Sequence, residues 1–280
     1  MERFLYRLSL SPYAERFILK GALMFNVWGA PASRPTRDID LLGCMNNSVD
    51  ALLPVFRDVC RQKVEPDGLV FPVESLQGEI IKEDADYAGV RVKFQGFLDK
   101  SQVAMQIDIG FGDAVEPQAL LTDYPTILDL RAPRLRAYPK ETVVAEKFEA
   151  MVKLGQLNSR LKDFFDLWLL SQQFAFDGTT LASAVLKTFK NRQTAINSQP
   201  VALSAIFAND PTKQKQWKGF LRKSQLELAP PHLPNVVDTI GGFLLPLAEA
   251  LASGRNFSNV WQPRGPWQSS AKEEKGNRSN

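Results

Sequence analysis

The sequence predicts an α/β (α+β) protein: a mixed sheet in residues 1–139, a mainly helical domain in 140–261, and a polar, disordered tail in 262–280. Three observations carry that prediction. Short apolar or alternating runs suited to strands crowd the first half of the chain. From Lys140 onward apolar residues recur at helical spacing instead, and the proline pair in Ala132-Pro133-Arg134-Leu135-Arg136-Ala137-Tyr138-Pro139 marks the change. Beyond Gln262 the chain is rich in Ser, Asn, Lys and Glu, and Trp267 is its one large apolar residue, too little to bury a core.

Taken in order, Phe17-Ile18-Leu19-Lys20 reads as a strand, Gly21 as a turn, and Ala22 to Trp28 as a short apolar helix closed by Gly29. A strand–glycine–helix junction leaves backbone N–H groups where phosphates bind, so Gly21 is either a phosphate contact or a glycine kept for tight turning. After a proline-punctuated loop over 30–36, Thr36-Arg37-Asp38-Ile39-Asp40-Leu41-Leu42 places Asp38 and Asp40 on one strand face, about 6.6 Å apart. Two like charges on a half-buried face need a counter-charge, and hard oxygen ligands suit Mg²⁺, which brings phosphates with it. A solvent-facing edge strand is the plain alternative.

A hairpin follows. Val90, Val92 and Phe94 alternate with Arg91, Lys93 and Gln95, and Val103, Met105, Ile107 and Ile109 with Gln106 and Asp108. A turn centred on Asp99-Lys100 sets Arg91 opposite Asp108 and Lys93 opposite Gln106. Asp108 is therefore either the cross-strand partner of Arg91 or a third carboxylate beside Asp38 and Asp40. The second option supplies the set used in two-metal phosphoryl or nucleotidyl transfer, where the metals lie roughly 4 Å apart.

In the helical half, Pro139 suits a first turn, Val144, Phe148 and Met151 form an apolar stripe, and Gly155 stops the helix. Lys147 lies at the margin of that stripe, with Glu146 and Glu149 expected nearer solvent. The next helix is expected to start at Asn158 or Ser159 as N-cap. On it Asp163 and Asp166 share a face, to orient Lys147 or a nucleotide, or to pair with Arg160 and Lys162 at the surface. Further helices are expected from Asp177 or Thr179 to near Phe189, from about Asp210 to Gln225, and from Asn235 to Leu251, the last bent by Gly241-Gly242 and Pro246.

Composition narrows the function classes. With 44% apolar and 23% charged residues the chain reads as an ordinary soluble globular protein. No apolar run approaches ~20 residues and the first residues lack the apolar core of a signal peptide, so a cytoplasmic protein without a membrane segment is expected. Cys44 and Cys60 are too few and too far apart for a zinc site, and His232 sits in a proline-rich loop, which argues against a histidine-dependent hydrolase. The net charge of +3 says little about nucleic acid, but residues 187–226 hold eight basic residues against the single acid Asp210. That excess, with Lys213, Lys215, Lys218 and Arg222 at its centre, suits a phosphate backbone or a solvated helix face.

Lys20-Gly21-Ala22-Leu23, then Arg34-Pro35-Thr36-Arg37-Asp38-Ile39-Asp40-Leu41-Leu42-Gly43 and Gln106-Ile107-Asp108-Ile109-Gly110-Phe111-Gly112-Asp113, resemble the nucleotidyltransferase toxins of abortive-infection systems (AbiEii/AbiGii type) in the DNA polymerase β-like superfamily. Residues 143–151 and 158–168 extend the resemblance, which covers about 17–170. It implies a polymerase β-like core, Asp38 and Asp40 as metal ligands, and Lys147 and Asp163 as residues essential to activity. Lys20, Gly21, Ala22, Arg37 and Lys147 would face the nucleotide. The chain departs from the family at Ala22-Leu23, where most members place a second glycine and a hydroxyl residue.

Residues and resemblance together lead to an expected enzyme that moves a nucleotidyl group from an NTP to an acceptor, with two Mg²⁺ ions on Asp38, Asp40 and Asp108. The resemblance implies RNA (tRNA) as acceptor, and a toxin in phage defence with a cognate antitoxin encoded nearby. Nucleotidylation of a small molecule or protein, and a non-catalytic partner-binding descendant of the fold, are the competing readings. An aspartate-nucleophile phosphatase lacks the hydroxyl residue it would need after Asp40.

Overall fold

The computed structural model describes residues 1–30, 34–84 and 87–269, with the backbone alone for 82–84, 87 and 88. Part of the predicted loop at 30–36 and the predicted tail from 270 onward lie outside the described residues. The chain divides into two compact units, Met1–Asp113 with Gln118–Tyr138, and Ala114–Pro117 with Pro139–Asn280.

The first unit contains helices α1 (Glu2–Leu10), α2 (Met24–Val27) and α3 (Val49–Arg61). Its strands are β1 (Phe17–Lys20), β2 (Asp38–Gly43), β3 (Leu69–Val70), β4 (Gln77–Asp84), β5 (Tyr87–Leu98), β6 (Ser101–Phe111), β7 (Leu120–Asp123) and β8 (Arg134–Ala137). They form one mixed sheet in the order β3-β5-β6-β2-β1-β8-β7, with β4 also paired to β5. The β2–β6 and β1–β8 pairs are parallel and the others antiparallel.

The β5–β6 hairpin turns at Asp99-Lys100 and pairs Arg91 with Asp108 and Lys93 with Gln106, the register that the turn predicts. Strand alternation then sorts the side chains. Ile39, Leu41, Val90, Val92, Ile107 and Ile109 are buried on one face, while Asp38, Asp40, Arg91 and Asp108 take the other.

An aromatic cluster seals the apolar core of this unit. Phe4 of α1 meets Phe56 of α3 at 6.2 Å, Phe71 at 5.8 Å and Phe94 of β5 at 5.1 Å between ring centroids. Such ring pairs add about 0.5–1.5 kcal/mol beyond area burial. Arg3 and Arg7 tie α1 to Asp67 at 2.9 and 2.7 Å. Burial opposes ionisation of that carboxyl, but the two guanidinium groups overcome it and hold the pKa at about 2.

The second unit contains α4 (Lys140–Leu154), α5 (Leu161–Gln173), β9 (Phe176–Asp177), α6 (Gly178–Asn191), α7 (Ala205–Ala208), α8 (Pro211–Ser224), α9 (Leu233–Ala252), β10 (Val260–Trp261) and β11 (Trp267–Gln268). Asp177 caps α6 by accepting from the Thr180 N–H, and Asp210 caps α8 by accepting from Thr212 and Lys213. Helix α5 begins later than expected: Asn158 Oδ1 accepts from the Arg160 N–H at 2.8 Å and holds the chain in a turn first. Helix α9 runs from Leu233 to Ala252 without interruption at Gly241-Gly242 or Pro246, although the proline lacks the N–H that would bond the Gly242 carbonyl.

Among the described residues α9 is also the one helix long and apolar enough to cross a membrane, by length and composition alone. Val236, Val237, Ile240, Phe243, Leu244 and Leu247 bury its apolar side within the unit, as a core helix does.

Residues 262–269 correct the expectation of disorder from 262. Trp267 donates its indole N–H to the Phe243 carbonyl at 2.8 Å and stacks on the Phe243 ring at 5.7 Å, so β11 closes a small sheet in the order β11-β10-β9. A single large aromatic was enough to anchor a segment whose composition is otherwise that of a linker.

Candidate active site

The charged face of the first unit is organised by strand register. Lys20 of β1 pairs with Asp40 of β2, Asp40 with Asp108 of β6, and Asp108 with Arg91 of β5. Directly paired residues project to the same side of a sheet, so these four form one row with a cation at each end and two carboxylates in the middle. Asp38 adds a third carboxylate one pair along, in register with Gln106.

Each end of the row is pinned. Lys20 Nζ donates to Asp113 Oδ2 at 2.8 Å and lies 5.3 Å from the centre of the Tyr138 ring. Arg91 donates from Nε and Nη2 to the two Asp108 oxygens, both at 2.8 Å. Gln106 adds its amide to the same oxygens at 3.3 and 3.2 Å. The hydrogen bonds to Asp108 raise the pKa of Arg91 against the effect of burial, with the charges of Asp108, Glu79 and Asp38 contributing.

Gly21 follows Lys20 with φ +73°, and a Cβ there would run into the carboxylate of Asp40. The requirement for glycine at this turn therefore comes from Asp40 lying against its backbone. The helix after it is a 3₁₀ turn (Gly21–Leu23) leading into α2, seven residues in all. So short a segment does not develop the N-terminal field expected of a phosphate-binding helix. Arg37 is exposed in the segment before β2.

Asp38 and Asp40 are half-buried on one face, a donor set that fits a single hard cation such as Mg²⁺, which takes one or two carboxylates and keeps several waters. Asp108 does not complete a three-carboxylate set. Its oxygens receive the Arg91 fork, the cross-strand pairing, and among the described residues no group of three His, Cys, Asp or Glu is gathered to hold a metal.

In the second unit, Lys147 Nζ of α4 reaches Asp163 at 2.6 Å and Asp166 at 2.8 Å, and Arg160 reaches the other Asp163 oxygen at 2.8 Å. Both aspartates are 1% exposed. Burial opposes ionisation of Asp163, but Lys147 and Arg160 outweigh it and hold its pKa below the usual carboxylate range. Glu149, expected nearer solvent, is instead 1% exposed and accepts from Arg192 at 2.9 Å and Thr194 at 2.5 Å.

The family of AbiEii nucleotidyl transferase toxins, type IV toxin–antitoxin system, matches residues 3–239. The chain belongs to this family. It is a nucleotidyltransferase of the toxin type, whose family implies a cognate antitoxin. Similar solved structures include a candidate nucleotidyltransferase from H. pylori, at 16% identity and TM-score 0.48 over 90% of this chain and 92% of that one. JHP933 from Helicobacter pylori is similar to the same degree, 16% and 0.48, over 90% and 89%. No curated protein matches the chain.

For an AbiEii-family chain, Ala22 and Leu23 are the departure, and both are buried. Leu23, where the resemblance implies a hydroxyl residue, is a core side chain, which leaves backbone alone at that point to meet a phosphate. Gly21→Ala is expected to lower stability by about 1–2 kcal/mol from the left-handed backbone alone and to displace Asp40. Transfer should fall with it, and a variant with undiminished transfer would show that Asp40 is not used where it stands.

The basic stretch of this AbiEii-family chain is smaller than its sequence suggests. Lys213 is 7% exposed and donates to the Asn158 carbonyl at 2.7 Å, which removes it from the expected RNA face. Lys187 pairs with Glu116 and Arg192 with Glu149. Lys215, Lys218 and Arg222 remain exposed, at a spacing that aligns them along α8. Sequence reasoning missed Asp113; its place after a glycine-rich turn at the end of β6 was the available signal.

Proposed function

We propose that the protein transfers a nucleotidyl group from an NTP to an RNA acceptor of the tRNA class, in the presence of Mg²⁺, as the toxin of a phage-defence pair acting in the cytoplasm. The observation that carries this reading is the Asp38–Asp40 pair, two half-buried carboxylates on one sheet face in a row ended by Lys20 and Arg91. Asp38 and Asp40 would hold the Mg²⁺, which when bound supplies charge neutralisation at the phosphates. An acceptor hydroxyl would bond to the α-phosphorus as the bond from that phosphorus to the pyrophosphate oxygen breaks, with pyrophosphate leaving and the hydroxyl proton passing to water.

Asp113 keeps Lys20 beside Asp40 and so limits repulsion within the row. For Lys147 we propose a role essential to transfer, with Asp163 and Asp166 fixing its ammonium group. The test is incubation with each labelled NTP, Mg²⁺ and total cellular RNA: label in a tRNA-sized band supports the reading. Label in protein or small molecules moves the acceptor class, and no labelled product with any NTP overturns it.

The exposed cations of α8 are the proposed acceptor surface. Reversing Lys215, Lys218 and Arg222 to Glu is expected to weaken RNA binding and to flatten its salt dependence by roughly 0.7–0.9 units of slope per lost phosphate contact. NTP affinity should not change. An unaltered slope would return these residues to a solvated face.

A further inference from the structure

Asp108 occupies the row position next to Asp40, yet its carboxylate is spent on a residue of the neighbouring strand. The Arg91 fork and the Gln106 amide take both of its oxygens. Arg91 uses Nε and Nη2 in that pairing, and its side chain keeps 30% of its surface exposed on the face that carries Asp38. Among the described residues no hydrogen bond engages Nη1. A guanidinium held in one plane by a bidentate carboxylate loses little further freedom when its outer edge meets a second anion.

We propose that Asp108 serves this site as a positioning residue, and that the Arg91 it holds binds a phosphate group of the nucleotide beside the Asp38–Asp40 pair. Arg91 and Asp108 then act as one unit on phosphate and not as a metal ligand with an incidental partner. The electrostatics agree with this division. The two carboxylates Asp38 and Asp40 suffice for one divalent cation, whereas a polyphosphate brings more negative charge than one such ion cancels. Lys20, buried and tied to Asp113, is the cation at the other end of the row, and Arg91 is the more exposed of the two.

This inference rests on the nucleotide reading above, and the experiment separates the two. The full chain and the variants Arg91→Ala, Arg91→Lys, Asp108→Asn and the double variant Arg91→Ala/Asp108→Asn are titrated with Mn²⁺ alone, and with each of the four NTPs in Ca²⁺ to block chemistry. Arg91→Ala is expected to weaken NTP binding roughly ten- to hundredfold while retaining or strengthening Mn²⁺ binding, since it removes a nearby positive charge. A merely structural role would weaken both. Arg91→Lys keeps the charge without the fork and should fall between wild type and Arg91→Ala. Asp108→Asn should keep the Mn²⁺ site, and in the Arg91→Ala background it should cost no further NTP affinity, the non-additivity expected of residues acting as one unit.

Wild-type NTP affinity in Arg91→Ala, full additivity in the double variant, or loss of the Mn²⁺ site in Asp108→Asn would each overturn the inference. A wild-type protein that binds Mn²⁺ but none of the NTPs would overturn the nucleotide reading itself, and this inference with it. Should Arg91→Ala not fold, Arg91→Lys and Asp108→Asn carry the same comparison.

Discussion

Asp40→Asn is expected to lower nucleotidyl transfer at least about a hundredfold while leaving the fold in place. Asparagine keeps the size of the side chain over Gly21 and one of its acceptor oxygens, but removes the charge that a divalent cation needs. The same change relieves repulsion between Asp40 and its row neighbour Asp108 while giving up attraction to Lys20 on the other side, so the melting temperature should stay close to wild type. Loss of activity with undiminished stability is what separates a site residue from a structural one. Labelled-NTP transfer measured beside a thermal melt gives both readings, and activity within a few-fold of wild type would remove Asp40 from the site.

Lys147→Ala is expected to cost about 3–5 kcal/mol of stability, because it leaves Asp163 and Asp166 buried with less counter-charge. The pH dependence has a definite sign. The folded-state pKa of Asp163 is depressed, so its contribution is present above the unfolded value of about 4 and is lost as pH falls through the folded value. In Lys147→Ala the main cause of the depression is gone. The stability gap between wild type and variant should therefore be widest near neutral pH and close on acidification. Urea denaturation at neutral pH and below pH ~4 checks this, and a gap that does not depend on pH would mean that the Lys147–Asp163 pair contributes little. Transfer should be lost as well on the role proposed for Lys147. Asp163→Asn keeps a hydrogen-bonding group and is expected to lower turnover more than NTP affinity.

The sequence by itself determined the features set by local periodicity. Alternation put Asp38 and Asp40 on one strand face, and a turn at Asp99-Lys100 set Arg91 opposite Asp108, because strand register follows from turn geometry and a period of two. Helical spacing put Asp163 and Asp166 on one side of α5, where they meet Lys147. Order and content of the motifs identified the family.

Only the tertiary structure decided which strands lie side by side. The placing of β6 parallel to β2 and of β1 antiparallel to it creates the row Lys20, Asp40, Asp108, Arg91 from four separate segments, and no local pattern encodes that order. Packing likewise decided which charges are buried. Lys213 looked like one more cation of α8 until its helix placed it on the Asn158 carbonyl, and Glu149 like a solvent-facing acid until Arg192 and Thr194 enclosed it. Trp267 turned the start of a polar tail into a strand by finding the Phe243 ring and carbonyl. In each case the partner lies far along the chain, and the energy of a buried polar or aromatic group depends on that partner more than on its sequence neighbours.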